Sequence, residues 1–598
     1  LKCDCSIKKT CRKSIKMNFP PAEKYRPVKN MENRMACRWS SHAHFWQMSA
    51  LLLGAFSLAA CGSPAPVTPA ASAVGPATAS APAAASVTAT SQTPPPGMDT
   101  VIPRPVSVTP AGGTFRLSAG TVIYVEPATD EVKAIGQYLA DHINPATGYT
   151  LQVQAANGTP ASGIFLSLNG ADPALGSEGY SLTITPDLVK LVANQPAGLF
   201  YGVQTIRQLL PAAIDSASVQ PGPWSMGTGT ISDMPRFAWR GAMLDVARHF
   251  FSVKDITTYI DLLAYYKINH LHIHLSDDQG WRIQIKTWPN LTVYGSSLEV
   301  GGTPGGYYSQ DDYTYIVNYA KSRYITIVPE IDMPGHLNAA LASYPELTCD
   351  GIAPDPYTGT SSPNESICVS KDSTYTFLAN VIGELAALTP GPYIHIGGDE
   401  AQATSKPDYI NFVNRVQAIV QAAGKQAIGW EEISQSQLLP GSVAQHWNLP
   451  LDSNSSPDQQ VVQQDLIQAV QNGTRVIMSP ADKAYMDMKY QESITLGQNW
   501  AGYISVETGY SWDPATEVAG IPEKDILGVE APLWSETLTS IDDLEYMAFP
   551  RILGYAEIGW TPQAGRDWNG YKLRLAEQGP RLEELGVHYY ASPEIVWP

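Results

Sequence analysis

The sequence predicts an α/β protein: a (β/α)8 TIM barrel preceded by a small α+β domain. Three observations lead there. After Pro235, short runs rich in Val, Ile and Leu alternate with amphipathic helical stretches, the pattern of a parallel sheet covered on both faces. Eight such strand runs can be counted between Gly241 and Trp534, and eight strand–helix units close a barrel. Helix starts carry their own signals, since Ser252 with Asp255 and Ser309 with Asp312 form capping-box patterns ahead of apolar periodicity. A doubly wound open sheet is the competing arrangement, and no Gly-rich phosphate loop supports it.

The chain has 598 residues, 44% of them hydrophobic, enough for two or three domains with sizeable cores. A formal net charge of −18 argues against a nucleic-acid partner, because phosphate binding needs a basic excess. Residues 1–34 are basic, Cys-bearing and without apolar periodicity, and read as upstream sequence with Met35 a candidate start. The apolar run Phe45 to Ala60 is short for a bilayer span but right for a signal-peptide core. It ends in Leu58-Ala59-Ala60-Cys61-Gly62, which resembles a bacterial lipobox with Cys61 as the lipidated residue. The expectation for residues 1–60 is therefore an upstream segment and lipoprotein-type signal peptide, against an ordinary secretory signal or a short anchor. Residues 61–98 are almost wholly Ala, Pro, Ser, Thr and Val, an uncharged tether that cannot pack.

Residues 99–232 show β-patterned runs at Phe115–Leu117, Thr121–Val125, Gly163–Leu168 and Tyr180–Leu191, with helical patterns at Glu131–His142 and Ala197–Leu210. This is the small α+β domain. It gathers no His, Cys or carboxylate cluster, so its expected role is to pack against the barrel of residues 233–598. Within the barrel, Cys349 and Cys368 stand apart from the five cysteines of the N-terminal tenth. If the chain is exported, they are expected to pair across a Gly/Pro/Ser-rich loop. No metal site is expected from their spacing.

A barrel turns the residues just after each strand toward one cavity. Here they are Asp245 and Arg248, Asp277 and Asp278, Asp332 and His336, Asp399 and Glu400, Trp430, Trp447, Tyr485 and Asp487, then Trp534 and Glu536. Taken singly each has a plainer reading: core packing for a Trp, a solvated loop for Asp277-Asp278, a helix cap for Asp399-Glu400. Together, aromatic walls beside carboxylates suit a sugar, whose C–H faces stack on rings while its hydroxyls need polar partners.

Glycoside hydrolysis needs an acid at the leaving oxygen and a nucleophile at the anomeric carbon. The most pointed stretch is Tyr393-Ile-His-Ile-Gly-Gly-Asp-Glu400, a strand running through two glycines into adjacent carboxylates. Neighbours on a strand point to opposite sides, so Asp399 and Glu400 are not expected to flank one bond as an acid–nucleophile pair. A substrate's own 2-acetamido group is the alternative nucleophile.

Four ordered blocks carry a resemblance: Arg240 to Phe250 (RGAMLDVARHF), His274 to Arg282 (HLSDDQGWR), Pro329 to His336 (PEIDMPGH) and His395 to Glu400 (HIGGDE). They closely resemble the signature blocks of family 20 glycoside hydrolases, the β-N-acetylhexosaminidases. The resemblance covers about residues 100–598. It implies Glu400 as general acid and then base, with Asp399 orienting the acetamido nitrogen as an oxazolinium ion forms. It implies Tyr485 on the acetamido oxygen, Trp430, Trp447 and Trp534 around the acetamido group, and Trp500 flanking the site. Arg248, Asp487 and Glu536 would grip the sugar hydroxyls, and His336 and Asp277 would keep Glu400 protonated and in place. No cofactor is implied, and the partners are β-N-acetylhexosaminide glycans, with a membrane touched only through Cys61. A disaccharide-releasing enzyme of lacto-N-biosidase type and a catalytically silent surface lectin are the alternatives; the intact Asp399 and Glu400 weigh against the lectin.

Overall fold

The structure, a computed structural model, describes residues 97–451 and 456–598. Cys61, the expected leader and almost all of the expected tether lie outside the described residues.

The small domain is a mixed sheet of seven strands, β1 (Ser107–Arg116), β2 (Val122–Glu126), β3 (Gln152–Ala155), β4 (Gly163–Ser167), β5 (Tyr180–Ile184), β6 (Leu188–Ala193) and β7 (Ser225–Asp233). Their spatial order is β1-β7-β5-β6-β4-β2-β3. The helix Asp130–Thr147 starts on the Thr129 side chain and stops where Gly148 turns left-handed. The helix Pro196–Leu209 follows with proline in its first turn.

The run Tyr180–Leu191, expected as one strand, is the hairpin β5–β6. Pro186 and Asp187 break it, because proline cannot donate to a ladder and Asp favours turns, and the Thr185 N–H donates to the Leu188 carbonyl across the turn. The strands β3 and β7 were not expected. β7 reads Ser-Met-Gly-Thr-Gly-Thr-Ile-Ser-Asp, yet it pairs with both β1 and β5, so its neighbours and not its propensity make it a strand.

Asp233 at the end of β7 joins this domain to the barrel. Lys267 Nζ lies 3.1 Å from its Oδ2, with both side chains fully buried, and Trp560 Nε1–H donates to Oδ1 at 2.8 Å. Arg240 pairs with Glu178 at 2.8 Å, and Arg581 with Asp215 at 2.5 Å.

Eight parallel strands close the barrel: β8 (Trp239–Asp245), β9 (His270–His274), β10 (Thr326–Glu330), β11 (Tyr393–His395), β12 (Gln426–Trp430), β13 (Val443–His446), β14 (Arg475–Met478) and β15 (Ile526–Ala531). The capping boxes at Ser252 and Ser309 form as the sequence predicts. Trp239, Val328, Tyr393, Ile428, Val443, Ile477 and Leu527 pack as one apolar cluster. Side chains two residues apart on a strand share a face. The next inward layer toward the strand ends therefore holds Glu330, His395, Trp430 and Gln445, all buried. The barrel changes from apolar to ionisable in one step, just beneath the end where chemistry resides in this fold. Cys349 and Cys368 form a disulfide in the excursion after β10.

Candidate active site

Strand β11 stops at His395, and the chain then turns through Gly397 (φ 60°) and Gly398 (φ 105°) to Glu400, itself left-handed at φ 47°. The glycines are required locally. A Cβ on Gly397 would lie 1.7 Å from Asp332 Oδ1, and the same oxygen accepts the Gly398 N–H at 3.0 Å. Asp399 and Glu400 cap no helix, since the following helix, Lys406–Ala422, is capped by Ser405. The expectation that they point to opposite sides of a strand fails because the strand has ended. Asp399 Oδ2 and Glu400 Oε2 lie 3.8 and 3.4 Å from one atom, Nε2 of His336.

His336 is buried, and its Nδ1 lies 3.3 Å from Asp277 Oδ1. Asp277 is gripped through Oδ2 by Arg248 Nη2 at 2.7 Å and His274 Nε2 at 2.9 Å. Burial would raise the Asp277 carboxyl, but Arg248 and His336 outweigh it and hold it far below the usual range. Burial would lower His336, but Asp277, Glu400 and Asp399 raise it well above an ordinary imidazole. The hydrogen bond from His336 lowers Glu400. Both shifts favour the proton on the imidazole of the unliganded site, whereas the sequence reading has His336 keeping Glu400 protonated. Asp399 is raised, by burial first and by Glu400 in addition.

All the catalytic and sugar-binding residues predicted from sequence line one cavity, except Asp277 and Trp430. Asp277 lies beneath, on Arg248 and His336. Trp430 stands behind the wall, its ring 5.8 Å from that of Trp534, and donates Nε1–H to Glu330 Oε1 at 3.1 Å. Trp447 is tied by Nε1–H to Glu432. Tyr485 packs between Trp500 and Trp534, at 5.9 and 6.2 Å between ring centroids. Trp500 stands half exposed at the mouth, and the Arg248 guanidinium lies 4.8 Å over the Trp534 ring.

In the same cavity, both oxygens of Asp487, Oε2 of Glu536 and Oδ1 of Asp399 are buried without a hydrogen-bond donor among the described residues. Burial and the neighbouring Glu536 push Asp487 well up. Unmet buried acceptors are costly, and a polyol with an amide N–H supplies the donors they need. Past Glu400 and Trp447 the cavity continues into a groove of about 790 Å³ toward the helix Pro457–Gln471.

Four trios of His and carboxylate atoms lie within 4.8 Å of one another, among them His272–Glu330–His395 and His336–Asp399–Glu400. Within them imidazoles face carboxylates at ion-pair distances, so the trios are read as charge-paired networks.

Sequence reasoning passed over Glu330, His272, His274, His395 and Glu432. A signal was present: His270-Leu-His-Ile-His274 puts histidines at alternate, inward positions of a strand, and Glu330 ends an otherwise apolar one. Charge inside an apolar strand marks either pairing or chemistry.

The family described as glycosyl hydrolase family 20, catalytic domain, matches residues 237–409 and 403–563, and glycosyl hydrolase family 20, domain 2, matches residues 99–234. A β-N-acetylhexosaminidase of Cellulomonas fimi is 40% identical over 499 residues, covering 83% of this chain and 97% of its own. The family 20 β-N-acetylhexosaminidase structure from Streptomyces coelicolor A3(2) is 50% identical with a TM-score of 0.81, covering 85% of this chain and all of its own. The Streptomyces plicatus N-acetyl-β-hexosaminidase, solved in complex with Thio-NAglucal, is 52% identical with the same TM-score over 84% of this chain and 99% of its own.

Proposed function

The chain belongs to glycosyl hydrolase family 20, and from that premise we propose that the cavity is the active site of an exo-acting, retaining β-N-acetylhexosaminidase that removes terminal, non-reducing β-linked GlcNAc or GalNAc. The observation that carries the reading is the convergence of Asp399 and Glu400 on His336 beside the ring wall of Trp447, Tyr485 and Trp534. Two carboxylates this close on one imidazole leave no room for acid and nucleophile on opposite faces of a sugar, so the substrate's acetamido oxygen is the nucleophile.

It attacks the anomeric carbon as the bond to the leaving oxygen breaks, and Glu400 gives that oxygen its proton. A bound sugar strips water from Glu400 and raises its pKa, drawing the proton held by His336 toward Oε2. Asp399, through its unmet Oδ1, accepts the amide N–H and balances the charge of the oxazolinium ion, while the Tyr485 hydroxyl aligns the acetamido oxygen. Trp447 and Trp534 hold the acetamido group in place, with Trp430 backing Trp534 from behind the wall. Water then adds to the anomeric carbon with Glu400 as base, so the configuration is retained. Arg248, Asp487 and Glu536 take the ring hydroxyls, Trp500 covers the mouth, and the leaving saccharide passes out by the groove beyond Glu400.

The test compares an aryl β-N-acetylglucosaminide with the matching aryl β-glucoside. Rapid release from the first alone is expected, since only it carries the nucleophile. Comparable release from both would overturn the mechanism.

Export and a lipid on Cys61 are part of the proposal. They are supported by the Leu58–Gly62 motif and by a disulfide suited to an oxidising compartment. Cys61→Ala should move the enzyme from the membrane fraction to the soluble one, and an unchanged distribution would remove the anchor.

A further inference from the structure

Beneath the sugar cavity, Glu330 is a fully buried carboxylate at the end of β10 that the reaction does not touch. His274 Nδ1 lies 2.5 Å from its Oε2, and His272 Nε2 lies 2.9 Å from the same oxygen. His395 Nδ1 at 2.9 Å and Trp430 Nε1 at 3.1 Å face its Oε1. These contacts differ in kind. His395 accepts the Gly397 N–H at Nδ1, and burial lowers its pKa, so it is a neutral ring.

His274 and His272 are different. Each places one nitrogen on Glu330 and the other on a second carboxylate, Asp277 Oδ2 at 2.9 Å for His274 and Glu530 Oε1 at 2.9 Å for His272. His274 hydrogen-bonds both carboxylates, donating from both nitrogens as a cation does, whereas His272 donates Nδ1–H to Glu530 and meets Glu330 at Nε2 as a close charge contact only. The result is an unbroken alternation of sign: Glu530, His272, Glu330, His274, Asp277, His336, ending at Glu400.

We propose that Glu330 is a positioning residue for the acid, acting through His274, Asp277 and His336. The proposal rests on Glu400 being that acid. Its physical basis is that Glu330 holds His274 as a cation, and His274 takes up part of the charge of Asp277. Asp277 also pairs with Arg248, and what charge remains sets how tightly His336 keeps its proton. Other charges bear on the end of the chain: Asp332 and Asp278 lie near His336 along with Asp399 and Glu400. Among the described residues, Asp332, two residues along its own chain, and Asp399 also bear on Glu330.

Without the Glu330 charge, His274 gives up one proton, Asp277 leans harder on His336, and the His336–Glu400 pair holds its proton to higher pH. Acid catalysis suffers while the acetamido nucleophile is left intact. That difference is readable through leaving groups, because a 2,4-dinitrophenolate departs without a proton and a phenolate does not.

Glu330→Gln should lower kcat/KM for phenyl β-N-acetylglucosaminide on the order of 10- to 100-fold, the scale of losing an outer partner of a functional group. The 2,4-dinitrophenyl glycoside should lose less than about threefold, and the alkaline limb of the phenyl pH profile should move up. Equal losses on both substrates, or an unmoved limb, would overturn the proposal. His274→Gln removes the next link while leaving Glu330 its other donors, and should reproduce the same differential if Glu330→Gln does not fold. If neither variant folds, the network is structural and the proposal falls. Glu400→Gln, run alongside, separates the two readings. If it shows no dependence on the leaving group, the acid assignment itself fails; if it does and Glu330→Gln does not, only the chain is wrong.

Discussion

At the scale of single residues, the site works because a few polar atoms are denied partners within the protein. Glu400 is lowered by the hydrogen bond from His336 and becomes an acid only as a sugar covers it. Glu400→Gln should cut turnover on glycosides with poor leaving groups by at least about 10²-fold, the usual scale of acid catalysis, measured as kcat on a natural disaccharide. Asp399→Asn keeps the shape but turns an acceptor of the amide N–H into a neutral group. It should lower kcat and kcat/KM together, as expected for a contact that strengthens in the transition state; a rise in KM alone would confine Asp399 to substrate binding. These two residues were legible in the sequence because two glycines followed by adjacent carboxylates at a strand end have few other uses. The direction of proton holding was not legible, since it depends on how closely Asp277 and Arg248 approach His336 across three strands.

At the scale of elements, β9, β10 and β11 place an ionisable layer on an apolar floor. Burial alone would lower His272, but the Glu330 and Glu530 carboxylates raise it to about 9, above an unfolded value near 6.5. A group raised on folding contributes its stability below the unfolded pKa and loses it as pH climbs through the folded one. Thermal stability should therefore fall between about pH 6.5 and 9, by something on the order of 3 kcal/mol from this residue. His272→Gln should flatten that slope in a melting series, and an unchanged slope would assign it to other groups.

The turn after β11 makes a second prediction. Gly397→Ala must displace Asp332 and with it the backbone of Gly398, so activity should drop at least about tenfold, as small misplacements of reacting groups do. Strands and helices of the barrel were readable from periodicity and caps. β7 was not, because a Gly/Thr/Ser run becomes a strand only when β1 and β5 are already there to receive it.

At the scale of the molecule, the two domains share charges that neither satisfies alone. Lys267 on the barrel and Asp233 on the small sheet are fully buried, so Lys267→Met strands an anion and should cost about 3–5 kcal/mol. Unfolding by denaturant would show it, and the double variant Lys267→Met/Asp233→Leu should recover much of the loss. The small domain was recognisable in sequence as a companion to the barrel, but its anchor residues were not, because a lone Lys after a helix and a lone Asp after a weak strand look like surface. The alternating chain beneath the site has one more consequence. It begins at Glu530 on β15, the last strand, which seats itself between β14 and β8 to shut the ring. A polypeptide emerging from the ribosome thus carries its carboxylate pair long before it can be dangerous to a glycan, and hydrolysis becomes a readout of whether the ring has shut.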